Sequence, residues 1–310
     1  MILSDFHCHL YGYDKGKSMD SILTRFTDEF PGKGKENSSL SAGRKENFAR
    51  SAHESGAGIK PGMIFNNIRE RDLWESGARF SLGEWPSGGR ESGAAVVSFI
   101  GIHPWDFEQA DDELFAALEQ IAFESGAFIG EIGLDRLRLD SAGREVQQTV
   151  FRKALDIALK TEKPFTIHCV REWGALISIL ESVRKRILAP FIVHAYSGSD
   201  ETMEKIISLG GYISFGTLFS HSREGLFSDK ASGCLLKIDR RFLLLETDWT
   251  WHPGGDASEP DASEPDAYRN ELLSVYEKTA NLLKIDITEL CGVIEENGAV
   301  FKAYTAYRGR

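Results

Sequence analysis

Apolar and β-branched residues recur along the chain in short runs, and most runs are followed by a longer stretch whose apolar positions repeat with helical period. The short runs predict strands at residues 2–7, 62–66, 95–101, 128–131, 165–168, 191–194, 212–215 and 242–247. Between them, residues 111–125 place Leu114, Leu118, Ile121 and Ala122 on one helical face. Residues 145–160 do the same with Val146, Val150, Ala154 and Ala158, and residues 173–187 with Leu176, Ile177, Leu180 and Val183. Residues 201–209 form a shorter helix of the same kind. Strands alternating with helices point to βαβ units and a parallel sheet. About eight such units in a chain of this length predict an α/β fold, a single-domain (β/α)8 TIM barrel, with a doubly wound open sheet as the alternative. No GxGxxG or GxxxxGK[ST] follows a predicted strand, so no nucleotide cofactor is signalled.

Three stretches interrupt the alternation and read as loop insertions within one domain spanning residues 1–310: residues 14–43, 81–93 and 254–267. The last contains a tandem DASEP, too acidic and Pro-rich to build a packed core, and reads as a mobile surface loop. Composition adds exclusions. With 42% hydrophobic residues the chain is globular, and no apolar run reaches the length of a membrane span. The opening MILSDFHCHL carries no basic region and does not read as a signal peptide. A formal charge of −11 argues against indiscriminate coating of polyanions and suits a protein that gathers divalent cations. The four cysteines, Cys8, Cys169, Cys234 and Cys291, form no CxxC pair. A cytoplasmic monomer without a membrane or protein partner is the expectation.

The chemistry gathers at the predicted strand ends, where a barrel collects its βα-loops on one rim. Five of the eight histidines fall there: His7, His9, His103, His168 and His194. His7 and His9 are two apart on an extended segment, so both rings leave the same face, a good half-site for a transition metal. Glu131, His168, His194 and Asp248 come from other strands of the same sheet and can converge on its axis. Four imidazoles and two carboxylates suffice for two divalent ions sharing a bridge, an arrangement suited to hydrolytic displacement. Taken singly, each has a plain structural reading: a packed histidine, a helix cap, an ion pair of Glu131 with Arg136. Taken together they read as a metal centre. Glu131 is the carboxylate placed to contact both ions, and no lysine ends a predicted strand to serve as a carboxylated bridge.

The order DFHCHL, GIHPWD, GEIGLD, IHC, HAYSG and ETD, with Asn297 near the end, resembles the TatD family of metal-dependent deoxyribonucleases, which are TIM barrels of the amidohydrolase type. The resemblance implies that His7, His9 and Asp248 hold one metal, that His168 and His194 hold the other, and that Glu131 bridges them. It implies that His103 and Arg138 face the substrate, and that the activity is removal of nucleotides from DNA 3′ ends with Mg²⁺, Zn²⁺ or Mn²⁺. Two departures stand out. Asp248 is followed by Trp249-Thr250-Trp251 where the family has a small residue and proline, and the three insertions lengthen the chain. The two tryptophans could stack on bases or cover the barrel mouth.

These readings give a metal-dependent hydrolase of phosphodiesters, with Asp248 as general base, Glu131 at the bridge, and Arg138 with Arg136 on the phosphate. An amidohydrolase acting on a small amide, ester or phosphotriester is the alternative enzyme. A binding protein with structural metals is the alternative outside catalysis.

Overall fold

The computed structural model describes residues 2–10, 60–68, 95–124, 127–139, 141–216, 229–251 and 265–305. The strands are β1 (Ile2–Leu10), β2 (Lys60–Ile68), β3 (Ala95–Ile100), β4 (Phe128–Asp135), β5 (Phe165–Val170), β6 (Phe191–Val193), β7 (Gly211–Phe215), β8 (Leu243–Leu245) and β9 (Trp249–Trp251). They lie side by side in the order β8-β7-β6-β5-β4-β3-β2-β1-β9, and every pairing is parallel. Segment 243–251 therefore pairs with β7 through Leu243–Leu245 and with β1 through Trp249–Trp251. The sheet curls until one stretch of chain belongs to both of its edges. This is the expected barrel, not the open sheet.

The eighth strand, expected over 242–247, is shorter and ends at Leu245; beyond Asp248, at φ 53°, the chain resumes as β9, a strand outside the expected run. A residue with a Cβ is strained at that φ. The Asp248 N–H is held by the His7 carbonyl at 2.9 Å. Asp5 completes the seam, accepting the Thr247 N–H at 3.0 Å and the Thr247 hydroxyl at 2.6 Å.

The helices are α1 (Asp112–Glu124), α2 (Ser141–Lys160), α3 (Trp173–Val183), α4 (Asp200–Ser208), α5 (Asp229–Lys237), α6 (Pro265–Leu283) and α7 (Ile287–Thr305). The first four match the predicted amphipathic stretches. Leu114, Leu118 and Ala122 of α1 and Leu176, Ile177 and Leu180 of α3 are buried as the period requires, whereas Val146 of α2 is exposed. α4 starts where Ser199 accepts the Thr202 N–H, with Asp200 and Glu201 in the first turn, all three favoured at a helix N-terminus. α6 and α7 pin the two segments that close the ring. The Tyr276 hydroxyl bonds both the N–H and the carbonyl of Ser4 at 3.0 Å. The Asn297 amide donates to the carbonyls of Arg240 and Leu243, each at 2.7 Å.

One end of the sheet is apolar. Phe128, Phe165 and Phe191 open β4, β5 and β6 and are fully buried. Phe165 stacks on Phe191 with ring centroids 5.0 Å apart, and Phe99 meets Phe128 edge to face. The polar residues lie toward the opposite end, where the loops that carry function belong.

β1, β4 and β5 run past their expected ends, so His7, Glu131 and His168 sit within these strands and not at their last residues. In β4 the register slips between Ile129 and Ile132, which places Glu131 at an irregularity of the ladder. Gly133 pairs with His168, and a Cβ on it would lie 1.9 Å from the His168 carbonyl oxygen. Only glycine lets β5 come this close. The insertions expected at 14–43 and 81–93, and residues 254–264 of the third, lie outside the described residues; 265–267 open α6. Among the described residues no helix is long and apolar enough to cross a membrane.

Candidate metal centre

Glu131 is the hub. It is buried at 2% exposure, and its two oxygens divide the surrounding imidazoles between them. Oε1 lies 3.3 Å from His7 Nε2. Oε2 lies 3.0 Å from His194 Nε2, 3.4 Å from His168 Nδ1 and 3.4 Å from His103 Nε2. The His7 and His194 rings stack in parallel, with centroids 3.9 Å apart. Asp248, 24% exposed, brings Oδ1 to 3.6 Å from His7 Nε2. Residues from β1, β4 and β5 and from the loops after β3, β6 and β8 thus meet at one point, with a spread in sequence from 7 to 248.

The outward ring nitrogens decide which way the lone pairs point. His168 Nε2 faces Asp135 Oδ2 at 3.3 Å, and His194 Nδ1 faces Glu246 Oε1 at 3.6 Å. A metal on the inward side would leave each ring N–H to its outward carboxylate, and in that tautomer the inward nitrogens, His168 Nδ1 and His194 Nε2, are both acceptors. They are 3.1 Å apart. Two acceptors at that distance, beside a carboxylate oxygen, repel unless a cation or proton lies among them. The charge balance agrees. Burial pushes the pKa of each ring down, yet Asp135 and Glu131 hold His168 above the ordinary histidine value. Glu131 and Glu246 hold His194 well above it. The donor set, imidazole nitrogen and carboxylate oxygen, suits zinc, manganese or nickel and, with fewer contacts, magnesium. His7, Glu131 and His194 form one group with ligand atoms within 4.8 Å of one another, and His103, Glu131 and His168 a second.

His103 differs from the others. Its Nδ1 accepts the Trp105 backbone N–H at 3.1 Å, so in the neutral ring the proton is on Nε2. In that neutral form the nitrogen is a donor, and it faces Glu131 Oε2 at 3.4 Å.

The carboxylates behind the ring are the part that sequence reasoning left unassigned. Burial would raise the Asp135 pKa, but hydrogen bonds from His168, from the Trp105 indole and from the Leu137 N–H bring it down to about 2. Glu246, fully buried, accepts the Ala195 N–H at 2.8 Å and the Ser214 hydroxyl at 2.5 Å. The first of these holds Ala195 at φ 45°, directly after His194. Asp5 accepts the His7 N–H at 3.1 Å. Carboxylate–imidazole pairs of this kind fix the tautomer and aim of metal-ligating histidines. Both Asp135 and Glu246 stand in motifs visible in the chain, GEIGLD and ETD, but the pairing is visible only once strands are adjacent.

Of the residues expected at the site, the structure brings His7, Glu131, His168, His194, Asp248 and His103 together. The backbone of His9 continues β1 opposite Thr250, and its side chain lies outside the described residues. Arg138 ends a 3-10 turn (Arg136–Arg138) that follows β4, and its side chain is likewise outside them. Arg136, 61% exposed, has Nε 4.0 Å from Glu172, which Arg144 grips at 2.7 Å. Cys8 and Cys169 are both buried.

Fold and site together define a class: a closed parallel α/β barrel with a candidate divalent-metal centre at its C-terminal mouth. Residues 81–301 match the family of TatD related DNases, and the chain belongs to that family. It is 27% identical over 209 residues to the uncharacterized metal-dependent hydrolase YabD of Bacillus subtilis, a match covering 65% of this chain and 75% of that protein. It is 31% identical over 156 residues to the 3′-5′ ssDNA/RNA exonuclease TatD of Citrobacter koseri, covering 50% of this chain and 58% of that one. Apart from YabD, the chain thus spans little more than half the length of the first curated relatives it matches. Among solved structures, the TatD homologue YjjV of Escherichia coli superposes with a TM-score of 0.64 at 20% identity, over 96% of this chain and 97% of its own. An organophosphorus hydrolase from Deinococcus radiodurans gives 0.55 at 14% identity, over 97% and 91%. These two likenesses speak for the fold, the barrel that the alternation of strands and helices predicts.

Proposed function

We propose that the chain is a divalent-metal-dependent phosphodiester hydrolase that removes nucleotides from the 3′ ends of DNA. The observation that carries this reading is the pair of inward-facing imidazole nitrogens, His168 Nδ1 and His194 Nε2, 3.1 Å apart against Glu131 Oε2. In this reading His7, His9 and Asp248 hold one ion, His168 and His194 hold a second, and Glu131 bridges them. The division of its oxygens, Oε1 toward His7 and Oε2 toward His194, supports the bridging role. Family membership and the exonuclease named among the relatives support nucleic acid as the substrate.

Ions held there supply Lewis acidity to the phosphate and favour the ionised form of an attacking water. The rest falls to the chain itself. Asp248 is the partly exposed carboxylate at the mouth and takes the proton of the attacking water at Oδ1 or Oδ2. His103 donates its Nε2 proton to a phosphate oxygen, in a tautomer fixed in advance by the Trp105 N–H. Arg138 and Arg136, two positions apart on the turn after β4, supply guanidinium forks for the flanking phosphate. With a net charge of −11, DNA binding rests on few phosphate contacts, and its salt dependence is shallow.

A single-stranded oligonucleotide labelled at its 3′ end, and a circular strand of the same sequence, test the proposal. Release of the 3′ label, resistance of the circle, and loss of activity with chelator are the expected results. Cleavage of the circle as fast as the linear strand removes the exonuclease assignment. Turnover of small amides, esters or phosphotriesters with DNA untouched moves the chain to the amidohydrolase reading.

A further inference from the structure

Asp135 does more than aim His168. Its Oδ2 accepts the Trp105 indole N–H at 2.7 Å, and its Oδ1 accepts the Leu137 backbone N–H at 2.8 Å. One buried carboxylate therefore fixes a metal-site imidazole on one side and, on the other, the Trp105 indole and the backbone turn that carries Leu137. Both apolar side chains remain in solvent, Trp105 at 41% and Leu137 at 60% exposure. Exposed apolar side chains scattered singly are ordinary. Here the Trp105 side chain and the backbone of Leu137 bond the same carboxylate beside the candidate metal centre, so the two exposed residues are neighbours of one group.

The Trp105 and His103 rings are near-perpendicular at 83°, with centroids 4.9 Å apart, and the His168 ring lies 6.2 Å from Trp105. An indole held by its N–H has little freedom left to lose, so a partner that stacks on it meets a surface already in place. Arg136 precedes Leu137 on the same turn and is also exposed, which puts a cation beside the apolar pair. A flat aromatic wall next to a cation complements a nucleotide, whose base stacks and whose phosphate is anionic.

We propose that Trp105 and Leu137 form a subsite for the base of the 3′-terminal nucleotide, with Trp105 as the stacking platform and Arg136 turned to the adjoining phosphate. The inference rests on the nuclease reading and extends it. The subsite selects for a base of any identity, because every base has a face to stack, and acts mainly on binding.

The test compares two oligonucleotides, identical except that one ends in an abasic 3′ nucleotide, on the metal-loaded full chain. Affinity for each is also measured on the metal-stripped chain by anisotropy of a 5′ dye. The wild type is expected to favour the base-bearing end by about tenfold in KM and in affinity, with kcat little changed. Trp105→Leu is expected to abolish the preference, and Trp105→Phe, which keeps a ring but lacks the N–H, to retain part of it. Reading the ratio within each variant cancels any disturbance passed through Asp135 to His168. Equal treatment of both ends by the wild type, or an unchanged preference in Trp105→Leu, overturns the subsite and leaves the nuclease reading standing. No cleavage of either oligonucleotide by the wild type overturns both.

Discussion

The Asp5 carboxylate takes both the N–H and the hydroxyl of Thr247, joining residues 242 positions apart at the seam of the barrel. Its Oδ1 also receives the N–H of His7, and Thr247 Oγ1 receives the N–H of Trp249 at 3.0 Å. One side chain thus ties β1 to the segment between β8 and β9, where the ring closes, beside the candidate metal centre.

Asp5→Ala removes an acceptor from three donors at once, in a place from which water is excluded. The expected loss is about 3 kcal/mol of unfolding free energy, read by urea unfolding of the metal-stripped protein. Asp5→Asn keeps one acceptor oxygen and is expected to lose less.

The carboxylates behind the histidines give a second expectation. In Asp135→Asn the amide can present an N–H to His168 Nε2 and draw the ring proton to Nδ1, the wrong side. Glu246→Gln does the same to His194 from the Nδ1 side. Each variant is expected to fold and to bind metal about 10- to 100-fold more weakly. Competition with a chromophoric chelator measures this. Unchanged affinity in both would show that the rings are held by packing alone.

His103 separates donor from ligand. Removing it, as His103→Ala, is expected to lower kcat on the order of a hundredfold while the number of ions bound stays the same. Loss of an ion in that variant would place His103 among the ligands.

Metal removal carries its own expectation. Ions that bind only the folded chain stabilise it by about 4 kcal/mol at a thousandfold excess over Kd. Chelation is therefore expected to lower Tm, and added Mn²⁺ or Zn²⁺ to restore it, as differential scanning fluorimetry would record.

How much of this was legible beforehand follows from which interactions are local in sequence. His7, Glu131, His168, His194 and Asp248 could be named because each stands beside a recognisable β run, and parallel strands send such positions to a common end. The motifs that carry the family resemblance are those same runs, which is why membership of the TatD related DNases follows from them. The roles of Asp5, Asp135, Glu246 and Trp105 were not legible, since each depends on a partner in another strand or loop. Asp135 reaches Trp105 and His168, 30 and 33 positions away on either side. The extent of the eighth strand and the presence of β9 were hidden for a different reason: they depend on the left-handed backbone at Asp248 and on pairing of Trp249–Trp251 with β1, neither of which a local pattern reports. The helical period also stops short of α5, whose nine residues include Ser232 and Gly233 and leave Leu236 exposed.

The central claim is that Glu131 unites two ions, and calorimetric titration of the stripped protein with Mn²⁺ or Zn²⁺ tests it most directly. Glu131→Gln nearly preserves shape while removing the charge that offsets repulsion between two dications. The account predicts two ions per wild-type chain, unaffected by bicarbonate because no lysine awaits carboxylation, and at most one in Glu131→Gln, which still folds. Saturation of the wild type at a single ion, or two tightly held ions in Glu131→Gln, would contradict it.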